Sequence, residues 1–364
     1  MLSRVAESMF WMSRYIERAE NTARFLDVNF HLLLDLDKIT EVDSRAYWEP
    51  LIMVTDDRER FLTLHSEFTA PAVSDFLVFN RNNPNSIFSC IALARENARS
   101  VIETIASEMW EQINRLYHFL NTTDPSILQR DPYNFYQELK NGSHLFQGIT
   151  DATFSRGEAW DFVQAGRYLE RADNTSRLVD VKYHLLMNPN KDELDPVDNI
   201  QWMAVLKSCS ALEAFRKVYL SRIEPETVLQ YLVLDRHFPR TIYFCVTMLQ
   251  EALWRISGSR RREFSNDADR LVGKLEAELN YTTIDDIYQL GLHAWLEDLQ
   301  KKLARIGDQV YQTYFSYHTF QDSEDVVAAS QSQSQRSVIS SSSVKVSRAV
   351  WSQSDNSSQQ QQQQ

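Results

Sequence analysis

An internal repeat is the feature that most constrains how this chain can fold. Residues 14–33 read RYIERAENTARFLDVNFHLL and residues 167–186 read RYLERADNTSRLVDVKYHLL, so thirteen of twenty positions are identical at an offset of 153. Residues 76–90, FLVFNRNNPNSIFSC, return as residues 231–245, YLVLDRHFPRTIYFC, at an offset of 155. Two matches in the same order predict a tandem duplication, with one repeat at residues 1–153 and the other at residues 154–320.

The composition favours helices over strands. The chain of 364 residues holds 8 glycines and 9 prolines, which is too few for the many tight turns of an all-β fold. Each repeat is about the size of an ordinary domain. We therefore predict an all-α protein, a tandem-duplicated helical bundle whose halves are related by a pseudo-two-fold axis, either as two similar domains or as one fused unit.

Charge and hydrophobicity restrict the possible partners. The formal net charge of −12 disfavours nucleic acids and anionic membrane surfaces. The first ten residues, MLSRVAESMF, lack the apolar core of a signal peptide, and no apolar run approaches the roughly 20 residues that cross a bilayer. The matched Cys90 and Cys245 are interpreted as buried hydrophobic residues rather than disulfide partners. We expect a soluble cytoplasmic protein.

Helix boundaries follow from the apolar pattern and the breakers. The first helix is predicted from Ser3, as its cap, to about Asp37, because no glycine or proline interrupts that stretch. Asp131-Pro132 and Asn141-Gly142 predict turns. Residues 321–364 are predicted to form a disordered tail, since 23 of the last 35 residues are Ser or Gln. Further helices are predicted at about 44–68, 86–120, 158–188, 197–221, 241–256, 264–280 and 284–318.

A charged stripe runs along each duplicated helix. At about 100° per residue, five polar side chains of the first copy fall within an arc of roughly 120°. Phe10, Phe25, Val28 and Leu32 share that arc, so we infer that the stripe faces protein or a cleft rather than bulk water. The stripe consists of Arg14, Glu17, Arg18, Asn21 and Arg24 in the first copy and of Arg167, Glu170, Arg171, Asn174 and Arg177 in the second.

Two interpretations of the stripe remain open. In the first, the duplicate helices pair, so that Glu17 meets arginines of the second copy and Glu170 meets those of the first. Removing one member of such a buried pair costs about 3–5 kcal/mol. In the second, the three arginines per glutamate bind a carboxylate or phosphate group. The sequence favours the ion-pair interpretation slightly, because structural ion-pair networks are common.

Two other residue pairs are candidate ligand sites. Asp27 and His31, with their copies Asp180 and His184, are spaced to share a metal. The Glu-x-x-His spacing of di-iron bundles is absent, however, and a local hydrogen bond explains each pair without a metal. We therefore expect no metal, and these four residues are weak candidates only.

Two matched arginines form a further candidate site. Arg81 and Arg236 each precede a proline and then a helix start, at Ser86 and Thr241. Such an arginine beside helix N-terminal amides could bind an anion. It could equally cap the last carbonyls of a neighbouring helix.

Familiar catalytic motifs are missing from the sequence. It contains no glycine-rich phosphate loop, no G-x-S-x-G elbow, no C-x-x-C pair and no H-E-x-x-H helix. We therefore expect no cofactor and no nucleotide, hydrolase, redox or zinc-protease chemistry of a familiar kind.

Two segments of the chain resemble the bacterial alpha-E domain family, an all-helical group with a Glu-Arg motif. They are LSRVAESMFWMSRYIERAENTARFLDV at the start and SRGEAWDFVQAGRYLERADNTSRLVDVKYHLL later in the chain. The resemblance covers residues 1–320, and the motif corresponds to Glu17-Arg18 and Glu170-Arg171. The resemblance implies that the gene for this protein lies beside genes for a circularly permuted ATP-grasp protein and a transglutaminase-like protease. It therefore implies a role in making or trimming a small peptide or amide-linked product.

Three functions are consistent with these observations. The leading hypothesis is a helical accessory protein of an ATP-grasp amidoligase, whose arginine-rich helices hold a peptide carboxylate or the partner protein. Alternatively the protein is an enzyme in which Glu17 or Glu170 is a general acid or base and Arg14, Arg18 and their copies orient an anionic substrate. The third possibility is a purely structural scaffold without a site.

Overall fold

Helices form every regular element in the computed structural model, which describes residues 1–36, 45–186, 196–220, 223–260 and 263–316. The helices are α1 (Ser3–Leu36), α2 (Arg45–Val54), α3 (Arg58–Leu64), α4 (Ala70–Val78), α5 (Ile87–Ser100), α6 (Ser107–Thr122), α7 (Ile127–Arg130), α8 (Pro132–Thr153), α9 (Glu158–Leu186), α10 (Pro196–Ser208), α11 (Leu212–Val218), α12 (Pro225–Leu234), α13 (Ile242–Ser257), α14 (Asp267–Tyr281), α15 (Ile284–Leu290) and α16 (Leu292–Val310), followed by a π-helical turn (Tyr311–Phe315). The all-α prediction is confirmed for the described part of the chain.

Several predicted helix boundaries are confirmed. Helix α1 begins at Ser3 and is uninterrupted for 34 residues, and α9 begins at Glu158. Ser86 and Thr241 are the N-caps of α5 and α13, and each hydroxyl accepts a hydrogen bond from a backbone N–H three residues later. These capping bonds satisfy amide donors that have no partner within the helix.

Other predicted helices are divided in the structure. Asp56, between α2 and α3, has φ 59°, and Ser210, between α10 and α11, has φ 52°. Gly291 separates α15 from α16 with φ 86°. A helix cannot continue through a left-handed residue, so the predictions of single helices at 44–68, 197–221 and 284–318 were wrong. The prediction at 86–120 was wrong too, because α5 ends before Val101 although no glycine or proline marks the break.

The predicted turn at Asn141-Gly142 was also wrong, because both residues lie inside α8. A Cβ atom at Gly142 would collide with the side chain of Leu116 in α6. The glycine therefore permits close helix packing rather than a turn. The turn predicted at Asp131-Pro132 is confirmed at Asp131, which separates α7 from α8 and whose side chain accepts a hydrogen bond from the Asn134 N–H; Pro132 is the first residue of α8.

Helices α1 and α9 lie at the centre of the packing. Helix α1 contacts α9, α5 and α8, while α9 also contacts α13 and α16. Phe10, Ile16 and Leu26 of α1 are buried in the main apolar core. A Cβ atom at Gly166 in α9 would collide with the carbonyl oxygen of Phe10. The two long helices therefore approach closely at this glycine, which positions their charged stripes against each other.

Residues Met1–Phe315 form one compact unit, and Ser316–Gln364 fall in a second unit of which the structure describes only Ser316. The predicted tail at 321–364 therefore lies outside the described residues.

Cys90, Cys209 and Cys245 are buried free thiols, as the sequence predicted for the matched pair. Among the described helices, none is both long enough and apolar enough to cross a membrane.

Candidate functional site

The first charged cluster, the Glu17 cluster, lies between α1, α9 and the segment that precedes α13. Glu17 accepts hydrogen bonds from Arg171 Nε at 2.8 Å and Nη2 at 2.7 Å, and from Arg240 Nη1 at 2.8 Å. Burial alone would raise the pKa of Glu17, but the charges of Arg171 and Arg240 outweigh it and lower the pKa to about 2. Glu17 is therefore ionised at neutral pH and held by arginines from distant parts of the chain.

Arg240 also contacts the next turn of α1. Its Nη2 donates to Glu20 Oε2 at 3.0 Å, and its Nη1 donates to Asn21 Oδ1 at 3.1 Å. Arg24 donates to Glu20 Oε1 at 2.5 Å, to the Ser208 carbonyl at 2.5 Å and to Asn21. Burial, aided by the charge of Arg240, lowers the pKa of Arg24 to about 10. The Glu17 cluster is thus filled by the protein's own side chains.

The second charged cluster, the Glu170 cluster, is centred on the matching glutamate of α9. Glu170 accepts hydrogen bonds from Arg14 Nε at 2.8 Å and from Arg18 Nε at 2.6 Å and Nη2 at 3.1 Å. Burial would raise the pKa of Glu170, but Arg18 and Arg14 outweigh it and lower the pKa to about 2. The cross-helix ion pairs that the sequence predicted are therefore present in both directions.

A cavity of about 450 Å³ adjoins the Glu170 cluster and is lined by α1, α9, α16 and the loop after α2. The Arg14 guanidinium carbon lies 4.7 Å from the centre of the Trp11 ring at its wall. Asp173 accepts a hydrogen bond from Arg177 Nε at 2.9 Å, and both residues line the cavity. Burial raises the pKa of Asp173, although Arg177 opposes that shift. The cavity therefore combines cationic, anionic and aromatic groups.

The two predicted catalytic glutamates differ in their access to the cavity. Glu170 lines the cavity, whereas Glu17 is not among the lining residues and its side chain is 2% exposed. A carboxylate with a pKa of about 2 that is saturated by arginine donors transfers protons poorly at neutral pH. Asp173, with its raised pKa, is the cavity carboxylate better suited to proton transfer. The catalytic roles of Glu17 and Glu170 stay predictions.

Residues 1–315 match a family described as a predicted alpha-helical domain with a conserved ER motif. The chain belongs to the Alpha-E family. It is 21% identical over 357 residues to uncharacterized proteins of Mycobacterium bovis and Mycobacterium tuberculosis, and 20% identical to one from a second M. tuberculosis strain. The alignments cover 90% of this chain but only 37% of each relative's length. No solved structure matches the chain.

The two Glu-Arg pairs of this Alpha-E chain carry the reciprocal contacts. Glu17 binds Arg171, and Glu170 binds Arg18. Each pair therefore supplies a carboxylate to one interhelical ion pair and a guanidinium to the other. This geometry gives the motif a physical role in holding α1 against α9.

The other predicted stripe residues lie in three different environments. Asn21 and Arg24 belong to the Glu17 cluster, whereas Asn174 and Arg177 line the cavity. Arg167 Nε is buried and has no hydrogen-bond partner within the described part of the chain. Burial lowers the pKa of Arg167. The two stripes thus have different surroundings despite their similar sequences.

Arg81 and Arg236 lie outside the cavity lining. Arg236 donates to the Asn280 carbonyl at 3.4 Å and to its Oδ1 at 2.7 Å, at the end of α14. Arg81 donates to Asn121 Oδ1 at 3.2 Å, near the end of α6. The contact of Arg236 with the Asn280 carbonyl matches the helix-capping interpretation. Arg81 contacts a side-chain oxygen rather than a backbone carbonyl. Their predicted role in ligand binding stays a prediction.

The weak metal candidates have other partners. Asp27 accepts a hydrogen bond from Lys140 Nζ at 2.6 Å and lies 3.6 Å from His31 Nε2. Asp180 contacts His293 Nδ1 at 2.7 Å, while the side chain of His184 lies outside the described residues. In the part of the chain that the structure describes, no group of three or more His, Cys, Asp or Glu residues could hold a metal ion.

Sequence reasoning missed Arg240, Asn85 and Asp173. Asn85 accepts a hydrogen bond from Arg18 Nη1 at 2.9 Å and lines the cavity. Asn85 and Arg240 occupy the same position in the second repeat match, directly after a proline. The two residues differ in charge although the segments around them match, and this difference was the signal that could have identified both.

Proposed function

We propose that the cavity beside the Glu170 cluster binds the carboxylate of a peptide-like ligand, and that the protein is a helical accessory of an ATP-grasp-linked system that makes or modifies amide bonds. The observation that carries this proposal is that the Arg14 guanidinium is only partly used in hydrogen bonds within the protein. Its Nε is bound to Glu170, but its two terminal nitrogens have no hydrogen-bond partner among the described residues, and the side chain lines the cavity. A guanidinium edge of this kind suits a carboxylate.

The partners in this proposal come from the family resemblance. An ATP-grasp amidoligase-like protein would act on the carboxylate that Arg14 holds, and a transglutaminase-like protein would process the amide product. Such a system consumes ATP, which is why we propose a cytoplasmic location. The net charge of −12 favours these partners over nucleic acid or an anionic membrane.

We also infer that the repeat arose by tandem duplication and that the halves at 1–153 and 154–320 are related by a pseudo-two-fold axis. The reciprocal pairs Glu17–Arg171 and Glu170–Arg18 support this inference. Duplication would have produced two equivalent clusters, of which one retains a cavity.

The test is ATP-dependent ligation reconstituted with the neighbouring ATP-grasp protein. Arg14→Gln should raise the KM for the carboxylate substrate about ten-fold or more, because a charged hydrogen bond is lost. The control is Arg99→Gln, whose side chain is 67% exposed and, among the described residues, forms its ion pair with its helix neighbour Glu96. Equal KM values for the two variants would contradict the proposal.

A second candidate function is catalysis by this protein alone, because Glu170 and Asp173 line the same cavity as the arginines. In that case the purified protein should turn over a peptide-like substrate without its partners. Glu170→Gln should then abolish turnover under conditions in which the variant, although less stable, remains folded and binds its partner. Unfolding of that variant would instead favour a structural role for the Glu-Arg motif.

A further inference from the structure

The Arg240 side chain places a guanidinium group from the protein itself among the acceptors of the Glu17 cluster. Its guanidinium is held by three acceptors of α1, at 2.8 Å from Glu17 Oε1, 3.0 Å from Glu20 Oε2 and 3.1 Å from Asn21 Oδ1. The side chain is 10% exposed. The cluster therefore shows how one face of an Alpha-E helix holds a guanidinium group.

The same set of acceptors occurs on α9. The repeat aligns Glu17, Glu20 and Asn21 with Glu170, Asp173 and Asn174, and it aligns Arg240 with Asn85. The three α9 residues and Asn85 all line the cavity. Asn85 is too short to fill the position that a guanidinium occupies in the other cluster, and its amide is engaged by Arg18 and Asp57.

Two of the three residues on α9 each keep one acceptor oxygen for which the described part of the chain shows no hydrogen-bond donor. Asp173 uses Oδ2 to accept from Arg177, which leaves Oδ1 without a donor, and no described residue donates to Asn174 Oδ1. Their counterparts in the Glu17 cluster each accept from Arg240. The third acceptor, Glu170, receives Arg14 instead.

The charged residues around the cavity also include fewer cations than anions. Three arginines line it, namely Arg14, Arg18 and Arg177, against four carboxylates, namely Glu170, Asp173, Asp56 and Asp308. The lining thus holds one more carboxylate than guanidinium groups, which favours a cationic group on a ligand. Burial raises the pKa of Asp173, which is the direction expected for a carboxylate that lacks a full complement of positive partners.

We propose that the cavity binds the guanidinium group of an arginine-like ligand against Asp173 and Asn174, in the position that Arg240 occupies in the Glu17 cluster. The inference rests on the proposed function and adds a second group of the same ligand. The carboxylate contacts Arg14, and the guanidinium contacts the acceptors of α9. The ligand class is therefore arginine, or a peptide that ends in arginine.

Calorimetric titration of the full chain with three small molecules tests this proposal. L-arginine carries both groups, L-citrulline replaces the guanidinium by a neutral urea of similar shape, and agmatine lacks the carboxylate. Arginine should bind about ten-fold or more tightly than citrulline, because charged hydrogen bonds are lost with the neutral group. Asp173→Asn should remove that preference.

A filled-cavity variant gives an independent readout. Asn85→Arg should place a guanidinium from the chain in the cavity, as Arg240 does in the Glu17 cluster, and should abolish arginine binding while circular dichroism shows that the variant remains folded. Asn82→Arg is the matched control, because Asn82 is an exposed residue of the same loop and does not line the cavity. It should leave arginine binding unchanged.

The outcomes separate the two proposals. Equal affinity for arginine and citrulline, with both lost in Arg14→Gln, would overturn the guanidinium site and leave the carboxylate site standing. Agmatine binding as tightly as arginine would support the guanidinium site and remove the carboxylate contact. Absence of binding by all three molecules, or unchanged arginine binding by Asn85→Arg, would also overturn the guanidinium site.

Discussion

Glu17 and Glu170 are ionised inside the protein because each is surrounded by guanidinium groups. An unpaired carboxylate in such a position would be strongly unfavourable, so it would be protonated or would unfold the site. Both glutamates have a pKa of about 2. Since the ion pairs join α1 to α9, their main effect is to specify which side chains meet across the interface.

Loss of the Glu170 charge should destabilise the protein. Glu170→Gln leaves Arg14 and Arg18 without their carboxylate, and removing one member of a buried pair costs about 3–5 kcal/mol. The free energy of unfolding at neutral pH, from denaturant titration, measures the effect. Glu111→Gln, an exposed change in α6, should stay within about 0.5 kcal/mol of the unaltered protein. Similar values for both variants would show that the pair contributes nothing.

The same residue predicts a specific dependence of stability on pH. The pKa of Glu170 in the folded state, about 2, lies below its usual 4.5, so its ionised form stabilises the fold. That contribution, on the order of 3 kcal/mol, is fully present above the unfolded pKa and is lost as the pH falls toward 2. Denaturant titrations between pH 6 and 2 should show a shallower decline for Glu170→Gln. Parallel curves would contradict this assignment.

At the scale of elements, the crossing of α1 and α9 depends on small residues. Gly166 lies against the Phe10 carbonyl oxygen, and its aligned residue in α1 is Ser13, which is fully buried. A helix backbone cannot move away from a new methyl group without disturbing the ion pairs on either side. The close approach and the charged pairs are therefore parts of one interface.

Gly166→Ala should consequently destabilise the protein by about 1–3 kcal/mol, because overpacking outweighs the better helix propensity of alanine. Gly148→Ala is the matched control, because Gly148 lies in α8 with no atom near its would-be Cβ. The control should be stabilising by about 0.5–1 kcal/mol. Melting curves of both variants provide the comparison, and equal shifts of the same sign would refute the close-approach explanation.

At the scale of the whole molecule, each half of the chain completes the charged cluster of the other. Glu17 depends on Arg171 and Arg240, and Glu170 depends on Arg14 and Arg18. Residues 1–315 accordingly form one compact unit. Separation of the halves would leave buried charges without partners and expose the apolar surface between α1 and α9.

We therefore predict that residues 1–153 alone do not fold cooperatively, and that coexpression with residues 154–364 restores a folded complex. Circular dichroism during urea titration would show a broad change for the fragment and a single sharp transition for the complex. A sharp transition of the isolated fragment would instead indicate two independent domains.

The sequence predicted the long helices well and the short ones poorly. Helices α1 and α9 have long apolar stripes, so their periodicity was sufficient. The breaks at Asp56 and Ser210 depend on left-handed conformations of ordinary residues, which no glycine or proline announced. Gly142 was misinterpreted because a helical glycine that admits a neighbouring helix has the same local signature as a turn.

By itself, the sequence determined the helical class, the repeat and the shelter of the charged stripes, because these follow from local periodicity and from internal comparison. Only the tertiary structure decided that Arg240 reaches Glu17, 223 positions away along the chain, and that Asn85 leaves a cavity at the aligned position. Both depend on which loops meet at the ends of packed helices. That meeting is set by the summed packing of many side chains, and no short segment of sequence encodes it.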